Sequence, residues 1–417
     1  MPLTLLRITP VLIAAAIASA AIFLEFTPRD RKAFEMLQRI EWATFDWRVR
    51  LTSRFDRKIA DRLAIVLITD QTLKAVESKL GHRWPFPRWI HGMVLKELGN
   101  RGATSAAYDI FFIQTSDEAA PSKSRPVPGS SDRFFAQEIE RFGGVFLGVP
   151  QGRDGERTQM PAPLFLNAAA GSGHAVRISD GDGIIRRVLP YIDDPEGGRI
   201  WQLGFVLAAR RLGADLNQAQ VGDDFISLMD KDGAEHRIPL DGEGYFLIRW
   251  LHTDGNSLRF PTKSIESVLG SASVRSRTFE TEKTWPDYHL IIGSSGVDPS
   301  IADRGPTAAS RNMPFFLVHL DVANSILTNS FVKKPSPWVR IALLVSMAAI
   351  ASLISWRLRI RVKLRGRGCV RPTRLGSAFP GSRSVPDDEA PSRASVPAIT
   401  LAVLEETFSA SRHFRPI

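Results

Sequence analysis

Five residues stand out as able to do chemistry: Asp70, Trp84, Arg88, Asp109 and Arg186. Asp70 closes the apolar run at 63–69 (LAIVLIT), and Asp109 lies in the run at 104–112 (TSAAYDIFF). Both fall at or near the carboxyl ends of predicted strands, where open α/β sheets bind ligands. Two carboxylates there could grip a cation or a polar ligand. They could equally cap the helices that follow, and Asp70 is placed to be the N-cap for Gln71 onward. Trp84-Pro85-Phe86-Pro87-Arg88 is a stiff loop whose indole and guanidinium suit an acidic or planar ligand. Its competing role is to plug the core with Trp84 and Phe86. Arg186 and Arg187 follow a turn at 180–183. Neighbours on a strand point to opposite faces, so one is expected to pair with Asp46 or Asp109 and the other to meet solvent. A surface pair of that kind is worth about 0–1 kcal/mol.

Catalytic chemistry finds little support. Gly293-Ser294-Ser295-Gly296 could offer backbone N–H groups to an anion, but no Lys-Thr pair follows as in a P-loop, and a plain turn is the better reading. No Gly-x-Ser-x-Gly elbow occurs, and the single cysteine, Cys369, excludes an internal disulfide. Eight histidines show no metal-ligand spacing, and Asp193/Asp194 and Asp223/Asp224 sit in turn-like stretches. No catalytic residue, metal or cofactor is expected.

These residues belong to a chain of 417 with net charge +10. From Arg357 onward there are twelve Lys/Arg and five Asp/Glu, so the last 61 residues carry +7 of that charge. The rest has no basic face for tracking phosphates, which argues against nucleic acid. Two uncharged apolar segments bracket the chain, at 8–24 and 341–356, both at the short end of the roughly 17–25 residues a spanning helix needs. Trp338 and Trp356 suit the two interfaces of the second, and eight basic residues from Arg357 to Arg374 mark its far flank as cytoplasmic. Arg7 and Ala18-Ser19-Ala20 also allow the first segment to be a cleavable signal peptide, although the apolar run continues past that point. The bland alternative makes both segments buried core helices.

Positions 33, 36, 37, 40, 44, 47 and 51 recur at helical spacing, so a helix is expected to leave the membrane and pack that face on the body. Strands at 63–69, 104–112 and 144–149 alternate with helices at 71–80, 90–101 and 132–142, the pattern of a parallel sheet with right-handed crossovers. Short runs at 184–192, 225–230, 236–240 and 245–250 read as antiparallel hairpins, interrupted by a helix at 200–212. A strand at 289–293 and a helix at 318–328 lead back towards the membrane, and 119–131 reads as a surface loop. The fold class is α/β: a mostly parallel sheet with flanking helices and an antiparallel hairpin insertion, bracketed by transmembrane helices. The expected order is a cytoplasmic stub (1–7), a transmembrane helix or signal anchor (8–24), an extracytoplasmic domain (25–337), a transmembrane helix (338–356) and a basic cytoplasmic tail (357–417).

Several strings occur in a specific order: Phe45-Asp46-Trp47-Arg48, a strand ending in Asp70, Trp84-Pro85-Phe86-Pro87-Arg88, Tyr108-Asp109-Ile110-Phe111-Phe112, Asp182-Gly183-Ile184-Ile185-Arg186-Arg187, a strand ending at Gly293, and Val318-His319 before Ala323-Asn324. Together, over roughly Glu35 to Lys334, they resemble the CHASE2 family of extracellular sensory domains. The resemblance implies an input module of a bacterial receptor in the inner membrane, feeding a cytoplasmic cyclase or kinase. Asp287-Tyr288 stands where the family has Gly-Lys, and Phe315 where it has Gly. The tail holds no output domain, and is expected to be a truncated or frameshifted stretch or the end of a stand-alone sensor. The partners this implies are an unidentified small-molecule or protein ligand, the membrane, a second copy in a homodimer, and a separate cyclase or kinase. A membrane-tethered scaffold without a small-molecule ligand is the alternative, and an extracytoplasmic enzyme the third.

Overall fold

The computed structural model describes residues 15, 16, 19, 32–53, 55, 58–121, 127–150, 158–194, 198–252, 258–270, 284–333 and 337–366. It divides into two compact units, residues 1–352 and 353–417.

The body is organised by a six-stranded, wholly parallel sheet of β1 (Leu63–Ile68), β2 (Ser105–Tyr108), β3 (Val145–Val149), β4 (Gly171–His174), β12 (Thr262–Ser264) and β13 (His289–Ser294), in the order β12-β1-β13-β2-β3-β4. Every residue of β1, β2 and β3 is buried, because helices cover both faces and leave no wet side for alternation. The strand period of two nevertheless decides which core each side chain joins. Leu63, Ile65 and Leu67 enter one core with Ala107, Phe146 and Ile291. Ala64, Val66 and Ile68 enter the other with Tyr108, Val145 and Ile292.

The second core is closed by α3 (Arg88–Asn100) and α4 (Ser130–Phe142) through Ile90, Val94, Phe135 and Ile139. The first is closed by α5 (Leu203–Leu212) and α6 (Phe316–Leu327). These two helices approach closely at Gly204, where a Cβ would stand 2.3 Å from the His319 carbonyl oxygen. The expected helix at 200–212 starts at 203, because 199–201 instead forms β7 (Arg199–Trp201) against β6 (Tyr191–Asp193). The hairpin insertion is antiparallel as read: β9 (Phe225–Met229) pairs with β10 (Glu235–Pro239) and β8 (Gln220–Val221), and β11 (Phe246–Leu247) pairs with β5 (Arg187–Val188).

Two sequence expectations change. Thr69, not Asp70, is the N-cap of α2 (Asp70–Leu80): its Oγ1 accepts from Thr72 N–H at 3.1 Å while Thr72 Oγ1 accepts from Thr69 N–H at 3.0 Å. The buried face of α1 (Lys32–Thr52) carries Trp42, Asp46 and Val49 rather than Thr44, Trp47 and Leu51, which are exposed; the side chains at 33, 36, 37 and 40 of the expected face lie outside the described ones. A buried ion pair at Asp46, described below, fixes that rotation more firmly than the apolar stripe.

Residues 337–366 form α7 (Pro337–Gly366), which contains the predicted 338–356 segment and leaves Trp338, Leu343, Met347, Ile350 and Trp356 exposed. Among the described residues no helix is long and apolar enough to cross a membrane. The 8–24 segment lies, but for three residues, outside the described residues, as do 367–417.

Candidate functional site

The sheet runs from β1 outward to β4, then returns to place β12 and β13 on either side of β1. That reversal makes the carboxyl edge of β1, β13 and β2 the switch point of the sheet, the usual place for a ligand in such folds. Asp70 and Asp109 both lie there.

Asp70 is already occupied. With Thr69 capping the helix, its Oδ1 accepts from the N–H groups of Val297 and Asp298, each at 3.0 Å. A Cβ at Gly296 would stand 2.7 Å from that oxygen, so glycine admits the carboxylate. The anion that the loop after β13 receives is therefore the chain's own.

Asp109, 5% exposed at its side chain, belongs to a polar cluster in which each member orients the next. Gln202 Oε1 accepts from Gly204 N–H (2.7 Å) and Phe205 N–H (3.2 Å) at the start of α5. Its amide nitrogen must then donate to His319 Nδ1, at 2.6 Å, which leaves the ring proton on Nε2, 3.6 Å from Asp109 Oδ1. Asp303 completes the group, ion-paired with Arg177, whose guanidinium lies 4.6 Å from the centre of the Phe315 ring. Burial, together with the Asp109 charge, raises the Asp303 carboxyl against the pull of Arg177. His174, on β4, is pushed down to about 3, first by burial and then by His319, with a backbone hydrogen bond at Leu189 opposing. Of this cluster, sequence reasoning singled out Asp109 alone. His319 stood in one of the ordered strings without a role, and Gln202 and Arg177 carried no signal.

Trp84 and Arg88, both half-buried, border the second core. Trp84 packs edge-on against Phe86 at 5.1 Å, and the Arg88 guanidinium sits 5.0 Å from the centre of the Phe112 ring. Burial lowers Arg88 against the opposing charges of Asp132 and Glu118, and its Nε has no hydrogen-bond partner among the described residues. Beside it His91, 1% exposed and ringed by Tyr108, Phe112 and Phe135, is pushed down to about 3 by burial and by Arg88. No hydrogen bond or ion pair joins Trp84 or Arg88 to Asp70, Asp109 or Arg186 among the described residues.

Arg186 is the hub of a buried clamp. Its Nε and Nη2 donate to the two oxygens of Asp46 at 2.8 and 2.9 Å, Nη1 donates to Asp180 at 2.9 Å, and Nη2 to Asp182 at 2.6 Å. The Trp42 ring lies 5.0 Å away. Burial alone would lower this guanidinium; its hydrogen bonds to Asp46, Asp182 and Asp180 outweigh that and raise it. Arg187 is not solvated. Its side chain is 11% exposed and reaches Asp180 (3.1 Å), Asp241 (3.1 Å) and Glu243 (2.6 Å). Both arginines share Asp180, so the opposite-face expectation fails where the chain has left the strand: only Arg187 is in β5.

Among the described residues, no group of three or more His, Cys, Asp or Glu could hold a metal ion. A family model described as the CHASE2 domain matches residues 14–358. No curated protein and no solved structure matches the chain.

Proposed function

The chain belongs to the CHASE2 domain family of extracellular sensory domains in signalling receptors, and on that premise we propose that it is a membrane-anchored extracytoplasmic sensor that passes its signal to a cytoplasmic output. The family assignment carries this reading, and the family's sensory character speaks against a catalytic role.

The fold supplies a route for a signal. The α1 helix follows the first apolar segment, and the Arg186–Asp46 clamp ties it to the turn at 180–183. The α6 helix, which carries His319 of the carboxyl-edge cluster, leads towards α7. A ligand at Asp109, Arg177, Asp303 and His319 would touch α6 directly. It would shift the membrane helices only by binding one arrangement better than the other. The exposed apolar side chains of α7, flanked by Trp338 and Trp356, support lipid as its surroundings. A homodimer and a separate cyclase or kinase belong to the same proposal.

The test is a fusion of a diguanylate cyclase to the C-terminus. Arg186→Met and Asp46→Asn, which release α1, are expected to shift basal cyclase output in the same direction. Output indifferent to both would contradict the coupling, provided both variants reach the membrane.

A further inference from the structure

Within the carboxyl-edge cluster, Asp109 is the member whose charge the chain leaves unanswered. Its side chain is 5% exposed, yet among the described residues it accepts no hydrogen bond. Its contact with His319 Nε2, at 3.6 Å, is too long to be one. We propose that Asp109 receives the ammonium group of a small organic amine. The inference names the chemistry of the sensor's ligand, and so rests on the reading of this crevice as the ligand site.

Buried carboxylates are normally paired or hydrogen-bonded. Asp46 and Asp180 meet Arg186, and Asp321 accepts from Leu251 N–H at 3.2 Å and lies 3.0 Å from His252 Nδ1. Asp109 departs from that pattern for two reasons. The cluster's own cation, Arg177, is committed to Asp303 and lies over the Phe315 ring, and no ion pair joins it to Asp109 among the described residues. His319 brings no charge either. Its Nδ1 accepts from the Gln202 amide, so a second ring proton would set N–H against N–H. Gln202 is held in that orientation because its Oε1 already accepts from the N–H groups of Gly204 and Phe205.

Two carboxylates, Asp109 and Asp303, therefore share one guanidinium, and the cluster is one positive charge short. The upward shift of Asp303, caused first by burial and opposed by Arg177, includes a contribution from the Asp109 charge and agrees with that excess. An ammonium supplies the missing charge and the missing donors together. A bare inorganic cation needs several oxygen ligands, and the described residues offer no group able to hold a metal. Phe315, under Arg177, and Phe111, exposed two residues beyond Asp109, supply apolar and aromatic surface for the organic part. Asp303 and Arg177 are both partly exposed, so the cluster is open to solvent on their side.

The test melts the full chain, purified in neutral detergent, against propylammonium chloride, alanine, sodium propionate and potassium chloride at equal ionic strength. Propylammonium should raise the melting temperature saturably, and propionate and potassium chloride should not. The stronger of propylammonium and alanine assigns the ammonium to a simple amine or to an amino acid. Asp109→Asn should weaken the response at least about tenfold. In buffer alone the same variant should melt higher than the native chain, since it removes a buried charge that has no partner. No response to either ammonium compound, an equal response to potassium chloride, a response that survives in Asp109→Asn, or an Asp109→Asn chain that melts lower or fails to fold overturns the proposal. Ammonium binding beside a cyclase fusion whose output ignores both propylammonium and Arg186→Met would keep the site and remove the sensor reading. No binding, with output moved by Arg186→Met, would do the reverse.

Discussion

Arg186 meets Asp46 through two parallel hydrogen bonds, Nε to Oδ1 at 2.8 Å and Nη2 to Oδ2 at 2.9 Å, with side-chain exposures of 1% and 7%. This pair crosses from the hairpin insertion to α1, 140 residues earlier. A buried guanidinium is tolerated here because three carboxylates surround it.

Removing Asp46 takes away the bidentate partner and leaves the guanidinium only Asp180 and Asp182. Asp46→Ala is expected to destabilise the body by about 3–5 kcal/mol, the range for breaking a buried pair. Asp182→Ala, at a side chain 36% exposed, should cost clearly less. Urea unfolding of the full chain, followed by tryptophan fluorescence, compares them. Equal costs would refute the view of Asp46 as the principal partner.

Acid should destabilise the body through its buried histidines. His91 and His174 are pushed down to about 3 and His289 to about 4, burial being the first cause in each. Unfolded histidine takes a proton near pH 6.5. The stability from burying them neutral is therefore complete above about pH 6.5 and lost as pH falls towards the folded values. Asp303, held above its ordinary value, works in the opposite sense, its contribution being present at low pH and lost as pH rises through the folded value. Three groups against one give a net loss between about pH 6.5 and 4. Melting temperatures across that range should fall, and fall less steeply in His91→Leu; a flat profile contradicts the burial argument.

Asp70 holds the loop after β13. Asp70→Asn weakens two charge-assisted hydrogen bonds, each worth about 1.5–3 kcal/mol, so the amides of Val297 and Asp298 should exchange faster while β1 keeps its protection. Unchanged exchange at these two amides would show that the carboxylate is free for another partner.

Gln202 both caps α5 and fixes the His319 tautomer. Gln202→Leu is expected to cost about 1–2 kcal/mol through the lost cap and to mix the two tautomers. Nitrogen chemical shifts of the His319 ring should show a protonated Nε2 in the native chain and an averaged pair in the variant. Identical spectra would place the control of the tautomer elsewhere.

What the sequence disclosed follows from how far each signal reaches along the chain. The central strands were legible because LAIVLI and HLIIGS are apolar on both faces. GSGH and TKS, the two edge strands, carry neither an apolar run nor alternation, and only their partners make them strands. The pairing of Arg186 with Asp46 could be entertained, since both stood in recognisable strings. The Gln202–His319 contact spans 117 residues of unrelated pattern and could not. The face of α1 was misjudged because apolar spacing cannot reveal that an aspartate is the residue the body binds.

A sensor of this kind requires the body at 25–337 to face away from the cytoplasm. Cys369 is the only native cysteine, and Asp232, in the exposed turn between β9 and β10, tolerates a second. Spheroplasts expressing Asp232→Cys should be treated with a membrane-impermeant maleimide before and after permeabilisation. Labelling of position 232 in intact spheroplasts, with Cys369 labelled only after permeabilisation, is the predicted result. Labelling of Cys369 with protection of position 232 would contradict the orientation and the sensor reading built on it.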